Sequence, residues 1–236
     1  MKNICLIGNS HVAGFKLAWD KVRRKYPDVK ITFFAERRDG LSELEVKDGM
    51  LVPATDHLRE ILEHTSGGLG NIDPRAYDVI LLVGFFWAYP KADGFFSHAA
   101  ARQALLDSFD DDYPGFDVIR KIRSITNIPI FMAHQPLLKL VGKPVNGVSV
   151  EPYRRLVKFI NETLFEKYGG ATLLEQPEET IANGFNTRAE FSTGAMRLDI
   201  GKWRSKEAVH PENERTHMNG RFGEICFAEY IPTILA

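Results

Sequence analysis

Ser10 stands in the turn Gly8-Asn9-Ser10-His11, directly after the apolar run Ile4 to Ile7 and before a helical pattern. A hydroxyl in that place is flanked by the free N–H groups and the positive dipole end of a helix, which favour an anion such as the oxyanion of a tetrahedral intermediate. The plainer role for a serine there is a helix N-cap. A serine becomes a nucleophile only when a base takes its proton, and the segment from His210 to Gly223 offers one. His217 precedes the last helical pattern and has Glu214 three residues upstream, near enough in a tight turn to hold the imidazole Nδ1–H and fix the tautomer. The same loop holds a second pair of this spacing, Glu207 and His210, so His210 is a rival base. His11, beside Ser10, and His134, just past a strand pattern, fall on the same expected rim and line the expected substrate pocket; each could equally be a satisfied polar residue of the interior.

Two residues from opposite ends of a chain meet only if the elements between them carry them to one place. Asn3 to Gly8 reads as a strand and Val12, Phe15, Leu17, Trp19 and Val22 as a helix ended by Tyr26-Pro27. Lys30 to Ala35 is a second strand; Glu36 to Pro53 is polar and reads as loop with short pieces of structure, followed by a short helix from His57 to His64. The near-continuous run Tyr77 to Val83 suits a strand buried on both faces. After Gly84 the pattern predicts an aromatic loop from Phe85 to Phe96 and helices over Ala99 to Phe109 and Phe116 to Ile125. Pro129 to Ala133 is a fourth strand, Glu151 to Tyr168 the strongest helix pattern, and Ala171 to Leu174 a fifth strand. Glu175 to His217 is long, polar and irregular, which in a compact domain suggests a functional loop, and Met218 to Ile231 closes as a helix.

Short apolar strands alternating with helices predict a mostly parallel five-stranded sheet covered on both faces, an α/β three-layer sandwich of flavodoxin-like order. In such sheets the ligand site lies beyond the carboxyl ends of the strands, where Ser10 falls. No Pro/Ser-rich linker divides the 236 residues, so one domain is expected.

Composition narrows the chemistry further. With 44% hydrophobic and 26% charged residues and a formal net charge of -1, the chain has no electrostatic signal for nucleic acid. Cys5 and Cys226 are the only cysteines and read as reduced interior thiols. The N-terminal apolar run is too brief for a signal-peptide core or a membrane span, so a cytoplasmic protein without a membrane partner is expected. No His-Glu-x-x-His, cysteine pair or Asp-rich loop has metal-ligand spacing, and the Gly8 turn lacks both P-loop and dinucleotide signatures; neither metal nor cofactor is expected.

Taken together, Ile4-Cys-Leu-Ile-Gly-Asn-Ser-His11 and Glu214-Arg-Thr-His-Met-Asn-Gly-Arg-Phe-Gly223 resemble the first and last blocks of the SGNH (GDSL-like) hydrolases. The resemblance implies Ser10 as nucleophile, His217 as base and Glu214 in the place of the family's Asp. It implies an oxyanion hole from the Ser10 N–H, the N–H of Gly40 and the turn at Gly84, where Phe86 stands in place of the family's Asn. Asn9 and Trp87 are second-tier donors that could replace it, and Phe86 and Trp87 belong with Tyr89, Phe95 and Phe96 to an expected apolar or sugar-stacking wall. The implied activity is cofactor-independent hydrolysis of a small acyl ester, with O-acetylated carbohydrate ahead of lipid and thioester substrates. The alternatives are acyl transfer to a sugar and, because removing one oxyanion donor costs about 10²–10³ in rate, an impaired glycan-binding or scaffold protein on the same fold. Oligomeric state is not legible in the sequence.

Overall fold

The computed structural model describes residues 1–37, 40–85, 114–145, 147–165, 170–203 and 208–236. The helix expected over Ala99 to Phe109 and the aromatic residues Phe86, Trp87, Tyr89, Phe95 and Phe96 lie outside them.

Five strands form an all-parallel sheet: β1 (Lys2–Gly8), β2 (Val29–Ala35), β5 (Val79–Val83), β6 (Ile130–Ala133) and β7 (Ala171–Leu174), in the order β2-β1-β5-β6-β7. This is the flavodoxin-like order, with β5 central, β1 beside it and the first crossover running outward to β2. Each strand is a short run of branched and aromatic residues that only a two-sided burial can use. Alternate residues accordingly face opposite layers. Cys5, Ile7, Ile80 and Leu82 join Leu58 and Leu62 of α2 (Asp56–Ser66), Phe116 and Ile119 of α3 (Pro114–Arg123), and Tyr153 and Val157 of α4 (Glu151–Ile160). On the other face Ile4, Leu6 and Leu81 meet Phe15 and Trp19 of α1 (Val12–Val22) and Phe222, Phe227 and Tyr230 of α5 (Gly220–Leu235). The protein is therefore an α/β three-layer sandwich, and both cysteines are buried free thiols within it.

Three local features differ from the periodicity-based expectation. The polar segment after β2 contains a hairpin of β3 (Leu44–Lys47) and β4 (Met50–Pro53), closed by Asp48 and Gly49 at φ 52° and 72°. Two left-handed residues are what a type I′ turn requires, and Asp-Gly supplies them. The strongest helix pattern is α-helical only to Ile160 and continues as a π-turn over Asn161–Phe165. There Asn161 turns its amide onto the outer strand: Oδ1 accepts from Leu173 N (2.7 Å) and Nδ2 donates to Leu173 O (3.0 Å), which pairs part of an otherwise open sheet edge. In the long segment after β7, β8 (Ile181–Ala182) and β9 (Asn186–Thr187) form a small antiparallel ladder. Among the described residues no helix is long and apolar enough to cross a membrane.

Candidate active site

The register aligns Gly8 with Ala35 on one side and Val83 on the other, so Asn9 and Ser10 emerge at the carboxyl edge of the central strands. A β-carbon on Gly8 would come 2.5 Å from Val83 O and 2.6 Å from Val12 Cγ2, so only glycine lets the chain turn from β1 into α1 there. Asn9 braces the turn: its Oδ1 accepts from His11 N (3.1 Å) and its Nδ2 donates to Gly84 O (2.7 Å). Gly84 has φ 84°, and a β-carbon there would overlap Asn9 Oδ1. The residue that caps α1 is His11, without a side-chain bond; Ser10 turns its hydroxyl elsewhere.

That hydroxyl meets His217. Ser10 Oγ lies 2.8 Å from His217 Nε2, across 207 residues of sequence. The meeting is produced by two helices. α1 begins just after Ser10 and α5 just after His217, and the pair packs so closely that a β-carbon on Gly14 would lie 2.7 Å from Met218 O. Asn219 caps α5, accepting from Phe222 N (3.2 Å), and its amide donates to Glu190 O and Thr193 O (each 2.9 Å), which ties the His217 turn to the loop before it.

Behind the imidazole, Glu214 folds back onto its own turn. Its Oε1 accepts from Arg215 N (2.9 Å), Thr216 N (2.7 Å) and Thr216 Oγ1 (2.6 Å). It stands 3.5 Å from His217 Nδ1, whereas Thr216 Oγ1 is nearer at 3.1 Å. Donor arithmetic then fixes the directions. If Ser10 donates to Nε2, the neutral ring carries its proton on Nδ1, donates to Thr216 Oγ1, and Thr216 donates onward to Glu214. The carboxylate thus reaches the imidazole through a hydroxyl as well as through space. Burial alone would raise the Glu214 pKa, but the Thr216 side-chain and backbone bonds, His217 and the Arg215 N–H outweigh it and bring the group down to about 2. His217 is lowered by burial, with Arg197 adding to the shift and Glu214 opposing it.

Two further imidazoles sandwich this ring. His210 stacks on one side with centroids 3.9 Å apart and planes at 15°, and His11 on the other at 4.7 Å and 16°. His11 is held down at about 3 and His210 at about 4, in each case chiefly by burial and then by the neighbouring His217, so both are uncharged at neutral pH. His210, the rival base, is a neighbour of the same carboxylate, with Nδ1 3.8 Å from Glu214 Oε2; its sequence partner Glu207 lies outside the described residues.

His210, Glu214 and His217 each offer a ligand atom within 4.8 Å of the others, a set that could hold a metal ion. An ion bound by imidazole sits in the ring plane, and two nearly parallel rings direct their lone pairs alongside each other. The three would gather one ion only after the rings tilted apart.

The remaining expected residues are placed as follows. Gly84 N–H donates to Ala133 O (2.9 Å) and the Asn9 amide to Gly84 O, so both are committed to the fold rather than aimed beside Ser10 Oγ. Gly40 N–H makes a long bond to Arg37 O (3.4 Å), and a β-carbon on Gly40 would overlap Glu36 Cγ. His134, just past β6, is buried: Nδ1 contacts Gln135 O (2.5 Å) and Nε2 the Tyr153 hydroxyl (2.7 Å), and burial lowers it to about 4. The Tyr153 hydroxyl also accepts from Gln176 N (2.5 Å), so His134 belongs to an interior network. Phe86 and Trp87 lie outside the described residues. Residue spacing did not single out Thr216; its one signal is a hydroxyl residue between the acid and the histidine, where a carboxylate can fold back onto the next two N–H groups.

No protein-family model matches the sequence, and no curated protein matches it. Among solved structures the chain is similar to the periplasmic domain of a lipopolysaccharide acetyltransferase from Salmonella ser. Paratyphi A, with 13% identity and a TM-score of 0.50 over 100% of this chain and 84% of that one. A candidate arylesterase from Agrobacterium tumefaciens matches with 13% identity and a TM-score of 0.39, over 99% and 100% of the two chains. An FMN-bound flavoprotein from Lactobacillus acidophilus matches with 15% identity and a TM-score of 0.30, over 74% and 91%. At these identities the first likeness is one of fold.

Proposed function

We propose that this chain is a serine esterase of the SGNH type, acting on small acyl esters, with Ser10 as nucleophile, His217 as base and Glu214 as the acid that steadies it. The observation that carries the reading is the 2.8 Å contact between Ser10 Oγ and His217 Nε2, with Nδ1 turned toward Thr216 and Glu214. Ser10 Oγ attacks the ester carbonyl carbon while Nε2 takes the hydroxyl proton, and the carbonyl oxygen becomes the oxyanion. The intermediate collapses as Nε2–H protonates the departing alkoxide, leaving acyl-Ser10. Water, deprotonated by Nε2, then releases the carboxylic acid and restores the serine. The Ser10 N–H at the head of α1 and Gly40 N–H are the oxyanion donors of this reading. An O-acylated carbohydrate is the preferred substrate, and a sugar hydroxyl in place of water would make the same acyl-enzyme a transferase. Two free thiols suit a reducing compartment, and a cytoplasmic site of action goes with the reading.

A second reading, an impaired glycan-binding or scaffold protein, is favoured by one observation: the Asn9 and Gly84 donors are already committed to the fold, and Phe86 supplies no side-chain donor. Labelling by a fluorophosphonate and turnover of a nitrophenyl acetate separate the two. Both are expected in the wild type and absent in Ser10→Ala; a folded wild type that shows neither is the binder.

A further inference from the structure

The proposed chemistry leaves two buried polar atoms at its centre without a role, His11 Nδ1 and His210 Nε2, and the second belongs to the ring beside the Glu214 carboxylate. His210 has a side chain only 8% exposed, and its Nε2 is buried with no hydrogen-bond partner among the described residues. The ring is held firmly: its backbone N–H donates to Ala195 O (2.8 Å), it stacks on His217, and Nδ1 faces Glu214 Oε2. A neutral imidazole beside a carboxylate keeps its proton on the nitrogen nearer the negative charge, so Nδ1 carries it and Nε2 is a bare acceptor. Arg197 and Arg37 act against a second proton on the ring. His217 turns its Nε2 edge to Ser10, and because the His210 ring stacks parallel to it with Nδ1 on the same carboxylate, His210 Nε2 lies on the ring edge away from Glu214. Buried acceptors without a donor are rare in folded proteins and are commonly completed by what binds there.

We infer that His210 Nε2 accepts a hydrogen bond from a free hydroxyl on the alcohol portion of the ester, next to the oxygen that His217 protonates, so that the substrates are partly acylated polyols rather than simple alkyl esters. The inference rests on the esterase reading and adds to it the group that chooses the alcohol. As the ester C–O bond breaks, the departing oxygen faces His217 Nε2. The His210 ring stacks on His217 with centroids 3.9 Å apart, a spacing that a hydroxyl on the adjacent carbon can span. An alkyl ester leaves that acceptor buried and unsatisfied, and a site built to bond a hydroxyl discriminates strongly against the analogue that lacks it.

The test compares two acetates of similar size, 2-hydroxyethyl acetate and propyl acetate, on the wild type and on His210→Phe, which keeps an aromatic ring against His217 and removes the acceptor. Wild type is expected to prefer the hydroxylated ester by about tenfold or more in kcat/KM, and the variant to bring the ratio near one. A parallel fall for both esters would make His210 only a brace for His217 and overturn the inference. An absence of preference in the wild type overturns it without any variant. Fluorophosphonate labelling of the wild type, run alongside, keeps the two readings apart: labelled enzyme without preference sinks the hydroxyl reading alone, and unlabelled enzyme sinks both.

Discussion

Gly223 of the final helix rests against the backbone of Gly14 in the first: a β-carbon on Gly223 would come 2.6 Å from Gly14 O and 2.8 Å from Ala18 Cβ. This contact sets how near the starts of the two helices lie, and therefore whether the imidazole just before α5 reaches the hydroxyl just before α1. Backbone cannot swing aside as a side chain can, so Gly223→Ala must spread the helices. The helix preference of alanine offsets about 1 kcal/mol, and overpacking costs about 1–3 kcal/mol. The expected outcome is a modestly lowered unfolding midpoint with a larger loss of esterase turnover, because small misplacements of a base are costly. Full activity with lowered stability would show that the Ser10–His217 contact does not depend on this packing.

Thr216 separates a bridging hydroxyl from a spectator. Thr216→Val removes both the bond to Glu214 Oε1 and the acceptor for His217 Nδ1, while Thr216→Ser keeps them. Turnover is expected to fall about tenfold in the valine variant and to recover in the serine variant, with the acid limb of the valine profile moved to lower pH because the imidazolium has lost support. Equal rates for valine and serine would remove Thr216 from the relay.

The acid limb of the wild-type profile has a definite direction. His217 must be unprotonated to act as base, and its pKa is lowered from 6.5, first by burial and then by Arg197, against the pull of Glu214. Activity should therefore rise with pH through a midpoint below 6.5. Measuring kcat/KM from about pH 4 to about pH 8 checks this, and a midpoint above neutrality contradicts it.

Stability has its own acid dependence. His11 and His134 are buried uncharged, at about 3 and about 4 against an ordinary 6.5, with burial the first cause in both. Below 6.5 the unfolded chain binds protons that the folded one refuses, so the contribution of these groups is whole above 6.5 and is lost as pH falls toward 3 to 4. The slope is up to about 1.4 kcal/mol per pH unit for each histidine. The thermal midpoint should be flat above neutrality and decline in acid, with a shallower decline in His11→Phe; an unchanged slope in that variant would show that His11 is charged or exposed in the fold.

Much of this protein is written locally. The apolar runs and helical periods placed β1, α1, β5 and β6 within a few residues, and β7 at its observed limits, because burial of a periodic face is decided over short stretches of chain. The Asp48-Gly49 hairpin was legible in principle, since its turn type demands that dipeptide, yet a polar composition concealed it. What the sequence could not decide was partnership among polar groups. The loop from 175 to 217 holds more donors and acceptors than any local rule can pair, and its contacts span tens to hundreds of residues. The resemblance already favoured His217 over His210, but only the folded chain put its Nε2 on the Ser10 hydroxyl, inserted Thr216 between acid and base, paired His134 with Tyr153 and committed Asn9 to Gly84. Sequence thus determined the layers and the edge at which Ser10 emerges; tertiary packing decided which hydrogen bond each side chain makes there, because a hydrogen bond depends on distances and angles that adjacent residues alone do not set.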